Sequence, residues 1–116
     1  MSAKIYHNPR CSKSRDTLKL LRANGIEPEI IEYLKTPPTT AEFEEILQKL
    51  GIKPRDLMRK KEPEYRDNWL DVESVSDAEL IEAMHKIPKL MERPVVIINE
   101  KAAIGRPPEN VLAILP

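Results

Sequence analysis

The chain has a single cysteine, Cys11. That excludes an internal disulfide, so any redox cycle run by this chain borrows its second thiol from elsewhere. The only histidines, His7 and His85, lie far apart in sequence, which argues against a structural zinc centre. There is no run of about 18 apolar residues, so no membrane-spanning helix is expected and no membrane partner is called for. The opening residues lack the apolar core of a secretory signal. With an unpaired cysteine, this predicts a cytoplasmic setting. A net charge is missing too. The 19 basic and 19 acidic residues cancel, and nucleic acid is not an expected partner. Internal repeats and low-complexity tracts are absent.

What is present suits one globular domain over residues 1–116. Lys4–His7 reads as a short buried strand. Ser12–Asn24 reads as a helix with Leu18, Leu20 and Leu21 on its apolar side, stopped by Gly25. Glu29–Tyr33 is a second strand carrying Ile30 and Ile31. Pro37-Pro38 breaks the chain. Thr39 or Thr40 then caps a helix to about Leu50, with Phe43, Ile46, Leu47 and Leu50 on one face, and Gly51 ends it. Pro54–Met58 is a short helical turn. The polar segment Arg59–Val75 is expected to be pinned by Trp69, Leu70 and Val72. Ser76-Asp77-Ala78-Glu79 has capping-box form for a helix through about Lys86, with Leu80, Ile81 and Met84 facing the core.

Val95–Ile98 is the strongest strand signal in the chain. Ala102–Ile104 follows as an antiparallel partner across a tight turn. A last helix is predicted over Glu109–Leu115, with Val111, Leu112 and Leu115 inward. The first strand–helix–strand unit should be parallel with a right-handed crossover, and the last two strands form a hairpin. The result is an α/β fold: a thioredoxin-like mixed four-stranded sheet with helices on it, and a helical insertion at about 37–90 between strands two and three.

Cys11 stands where the first strand passes into the first helix, in Tyr6-His7-Asn8-Pro9-Arg10-Cys11-Ser12-Lys13-Ser14-Arg15. A thiol at a helix start faces unpaired backbone N–H groups and the positive end of the helix dipole. Both favour the thiolate, which is the nucleophile. The same groups would hold an oxyanion brought to that sulfur.

This run, from His7-Asn8-Pro9 through Cys11 to Ser14-Arg15 and Thr17-Leu18, resembles the active-site run of the glutaredoxin-linked arsenate reductases. Leu57-Met58-Arg59-Lys60, Glu92-Arg93-Pro94-Val95-Val96 and Gly105-Arg106-Pro107 resemble the segments that hold this family's oxyanion-binding arginines. All four occur in order across essentially the whole chain. The resemblance implies that Cys11 attacks arsenate, that Arg59, Arg93 and Arg106 hold the anion and its adduct, and that His7 helps the cysteine ionise. It implies glutathione as co-substrate, a glutaredoxin as partner and no tightly bound cofactor. It also implies a cis peptide before Pro94, close to Cys11. Family members often carry Gly-Thr after the cysteine, where this chain has Ser12-Lys13. Those two positions would still offer backbone N–H groups to an anion, and Lys13 either adds attraction or points to solvent. Ser14 is a helix-start hydroxyl that can also bond the thiolate.

Guanidinium groups give fixed, forked donors suited to a compact multiply charged anion, which agrees with that assignment. Two other functions fit parts of the sequence. Cys11-Ser12-Lys13-Ser14 has the Cys-x-x-Ser form of glutathione-dependent monothiol oxidoreductases. A non-catalytic thioredoxin-fold regulator that binds RNA polymerase is the other; Ser14, in place of a second cysteine, weighs against a disulfide switch.

Overall fold

Alternation along the first strand places Ile5 on one sheet face and Tyr6 on the other, and both are buried. In the computed structural model, which describes residues 2–116, this strand is β1 (Ala3–His7). The chain divides into two compact units: residues up to Thr36 together with Arg93–Pro116, and Pro37–Glu92.

In the first unit, β1 leads through α1 (Ser12–Ala23) to β2 (Glu29–Glu32), which pairs parallel to it with Ile5 opposite Ile30. On its other side β1 runs antiparallel to β3 (Val95–Ile98), with Ile5 opposite Val96. β4 (Lys101–Ile104) completes the hairpin with β3. The sheet order is β2-β1-β3-β4, the predicted mixed four-stranded arrangement. All four residues of β3 are buried, as an interior strand covered on both faces requires. Ile5, Val96 and Ile98 pack with Leu18, Leu21 and Ile26, and with Val111 and Ile114 from the C-terminal segment. β2 is an edge; its Ile30 is 42% exposed, and the strand begins and ends with Glu29 and Glu32, whose charge discourages strand addition.

Helix α1 ends where Gly25 turns to φ +76°, and Ile26 N–H closes back on the Leu21 carbonyl at 2.9 Å. The last predicted helix is instead a 3₁₀ segment, Pro108–Ile114. At three residues per turn Val111 and Ile114 align and face the core. Leu112 rotates outward to 45% exposure, contrary to the inward placement that an α-helical period gives it.

In the second unit, both capping boxes form. Thr39 and Glu42 cap α2 (Thr40–Leu50), and Ser76 and Glu79 cap α4 (Asp77–Lys86). Between them lie a 3₁₀ turn at Pro54–Leu57 and the short α3 (Pro63–Asp67). Of the three residues expected to pin the polar middle, Leu70 is buried as predicted. Trp69 is instead 75% exposed with φ +60°, and Val72 is exposed. Tyr65, which the sequence does not single out, is buried as well. The Arg55 guanidinium holds the segment by donating to Tyr65 Oη at 2.6 Å and to the Leu70 and Val72 carbonyls at 2.6 and 3.1 Å. Among the described residues, no helix is long and apolar enough to cross a membrane.

Candidate active site

The loop between β1 and α1 is built by local hydrogen bonds. Asn8 Oδ1 accepts the Arg10 N–H at 3.0 Å, an Asx turn, and the Asn8 carbonyl accepts the Cys11 N–H at 3.0 Å. The Arg15 guanidinium reaches back to the Pro9 carbonyl at 3.0 Å. These contacts set Cys11 at the N-cap of α1, with extended backbone angles of −95° and 123°. Its sulfur makes no capping bond of its own and is partly exposed. The first-turn N–H groups, contributed by Ser12, Lys13 and Ser14, have no carbonyl one turn earlier to bond. Ser12 and Lys13 are exposed there.

Arg106 comes to the same sulfur from the other end of the chain. Its Nη1 donates to Cys11 Sγ at 3.7 Å and to the Arg93 carbonyl at 3.1 Å. That carbonyl belongs to the cis Arg93–Pro94 peptide, and Arg106–Pro107 is also cis. The Pro94 cis peptide agrees with what the sequence resemblance implies. Arg93 Nε is buried and has no hydrogen-bond partner among the described residues. Arg59 belongs to the second unit, where its Nη1 pairs with Glu62 Oε1 at 2.8 Å.

The Arg106 loop is held against α1 by a close approach at Gly105. A Cβ on Gly105 would fall inside the contact distance of Thr17 Oγ1, 2.9 Å from Pro94 Cγ and 3.0 Å from Thr17 Cγ2. Only glycine fits without displacing one of them. Gly105 N–H also bonds the Pro94 carbonyl at 2.9 Å. Thr17, fully buried, donates to the Lys13 carbonyl at 2.7 Å and approaches the Gly105 carbonyl at 3.4 Å. Thr17 and Asn8 are the positioning residues that the sequence reading left without a role. The Asn8-Pro9 dipeptide is itself a turn signal, whereas nothing in the sequence joins Thr17 to Gly105.

His7 is 6% exposed at the end of β1. Its Nδ1 lies 2.6 Å from Ser14 Oγ, and Ser14 Oγ also accepts the Asn8 N–H at 3.0 Å. Burial pushes the His7 pKa below the ordinary histidine value, Glu32 opposes this, and Arg22 and Arg15 add to the lowering. The imidazole is thus disposed to be neutral, and its Nδ1 is hydrogen-bonded to the serine hydroxyl.

Residues 6–114 match the ArsC family. The chain belongs to the ArsC family. It is 56% identical to the uncharacterized protein YfgD of Escherichia coli, over 97% of this chain and 95% of that one. It is 50% identical to an arsenate reductase of Haemophilus influenzae, over 99% of this chain and 100% of the relative. Among solved structures, an arsenate reductase from Vibrio cholerae superposes with a TM-score of 0.96 at 50% identity, over 99% of this chain and 98% of that chain. The family indicated by Cys11, Arg93-Pro94 and Gly105-Arg106-Pro107 is thus the family of the whole chain. Its thioredoxin-like sheet is shared with these ArsC relatives.

Proposed function

We propose that this ArsC-family chain reduces arsenate to arsenite, with Cys11 as the nucleophile and external thiols completing the cycle. The observation that carries the reading is the 3.7 Å contact from Arg106 Nη1 to Cys11 Sγ at the start of α1. A guanidinium and a helix N-terminus meet at one sulfur, the pairing that suits both a thiolate and a tetrahedral oxyanion. Full-length similarity to proteins named arsenate reductase supports the choice of anion.

In this reading the Cys11 thiolate attacks arsenic, and one arsenate oxygen leaves as water. Glutathione condenses on the resulting Cys11–S–As(V) adduct with loss of a second water. A glutaredoxin thiol then attacks the glutathione sulfur and passes its proton to an arsenic oxygen. The As–S electron pair stays on arsenic, which becomes As(III), and the mixed glutathione–glutaredoxin disulfide carries the oxidation away. Water hydrolyses the remaining Cys11–S–As(III) bond, releasing arsenite and the thiol. The chain's lone cysteine is consistent with this use of outside thiols.

Arg106 and Arg93, with the N–H groups of Ser12 and Lys13, hold the anion's oxygens in this scheme. Ser14 donates to the thiolate when His7 carries its proton on Nδ1 and bonds the hydroxyl as donor. His7 then acts through Ser14 as a neutral positioning group.

The test is arsenite formation with glutathione and a glutaredoxin, beside mass spectrometry of Cys11 after exposure to arsenate. Turnover by the native chain and none by Cys11→Ser is expected. An inert native chain beside an active control enzyme, or reduction of a glutathionylated peptide with no arsenite formed, would overturn the reading.

A further inference from the structure

A pocket of about 370 Å³ opens on the first unit, beside the Cys11 loop. Its walls include His7, Asn8 and Arg10 from the loop, and Glu32, Leu34 and Lys35 from the end of β2 and the turn after it. The loop wall is continuous with the nucleophile: the Asn8 carbonyl bonds the Cys11 N–H at 3.0 Å, and Arg10 directly precedes Cys11. The charged lining consists of two cations and one carboxylate. Lys35 Nζ stands 3.6 Å from Glu32 Oε1, while the Arg10 guanidinium has no ion-pair partner among the described residues. Leu34 is an exposed apolar side chain within this charged frame.

We infer that this pocket seats the external thiol, a small zwitterionic peptide of the glutathione class. Such a molecule carries two carboxylates and one ammonium group. Arg10 and Lys35 complement the carboxylates, Glu32 complements the ammonium, and Leu34 covers the aliphatic stem between them. The unpaired Arg10 fork is the anchor, since a planar bidentate donor discriminates for carboxylate. Seating the co-substrate here keeps it on the loop that carries Cys11, yet leaves the Arg106 contact for the arsenic oxyanion. The inference rests on the reading that an outside thiol completes the cycle.

The experiment separates pocket from reaction. Binding of S-methylglutathione, which cannot react, is measured by calorimetry to the native chain and to Arg10→Glu and Lys35→Glu. Steady-state KM values for glutathione and for arsenate are measured in parallel. Arg10→Glu should weaken S-methylglutathione binding and raise the glutathione KM roughly tenfold or more, with the arsenate KM unchanged. Lys35→Glu should act in the same direction. Native-strength binding in both variants overturns the pocket assignment, even where arsenite is still formed. If no arsenite forms at all, the function proposed above fails, and the calorimetry alone then upholds or removes this binding site. Equal rises in both KM values also overturn the inference, because they place Arg10 on the arsenate instead.

Discussion

Ser14 Oγ and His7 Nδ1 stand 2.6 Å apart, joining the first turn of α1 to the last residue of β1. The same oxygen accepts the Asn8 N–H at 3.0 Å, so one buried hydroxyl ties both ends of the Cys11 loop. Ser14→Ala removes the partner of a buried imidazole nitrogen and of a buried-side N–H at once. We expect a loss of about 1–3 kcal/mol in unfolding free energy, read by urea titration with far-UV circular dichroism. An unchanged midpoint would mean that water replaces the hydroxyl without cost.

His7 gives the fold a pH dependence whose sign follows from its burial. Its folded-state pKa is lowered, chiefly by desolvation, below the ordinary value of about 6.5. Above that value neither state binds the proton, and the stability from this group is fully present. As pH falls below it, the unfolded chain takes up the proton first, so stability declines until the folded protein protonates as well. The urea midpoint should therefore drop between about pH 7.5 and about pH 5.5, and His7→Gln should flatten that drop. A native chain and variant with parallel slopes would contradict it.

Arg106 Nη1 donates both to Cys11 Sγ and to the Arg93 carbonyl. Arg106→Ala should lower kcat/KM for arsenate roughly a hundredfold, in the range of a lost oxyanion donor. Arg106→Lys should recover only part of this, because an ammonium supplies charge without the fork. Full recovery by lysine would reduce the role of Arg106 to charge alone.

Gly105 sets how closely the Arg106 loop approaches α1. Gly105→Ala places a methyl against Thr17 and Pro94 and should cost about 1–3 kcal/mol of stability. Combining it with Thr17→Ala clears two of the three crowded atoms. The double variant should then be more stable than the sum of the single losses predicts. Strict additivity in a double-mutant cycle would remove Thr17 as the obstacle.

The framework of this fold is readable where a residue's local bonding decides its conformation. The Thr39–Glu42 and Ser76–Glu79 boxes fix two helix starts, and the Val95–Ile98 run marks the central strand before any contact is known. The failures share a cause: a tertiary partner overrides the local pattern. Trp69 looks like an anchor by size, but Arg55 holds that segment through Tyr65 and backbone carbonyls, a choice invisible at separations of 10–17 residues. Leu112 faces outward because the last segment winds with a tighter period than an α-helix. At the site, Cys11 at the helix start and the Arg106 motif are legible from residue type and position. The serine–histidine pair is not, since it bridges a loop whose path is set by Asn8.

Trp69 is the chain's sole indole, and it stands out in solvent on the helical unit. Its native emission should already resemble that of a hydrated fluorophore, leaving little spectral change for denaturation to produce. Folding followed by this intrinsic dye would thus underreport the sheet that carries the sulfur. A tryptophan placed at Tyr6 would supply the missing optical handle.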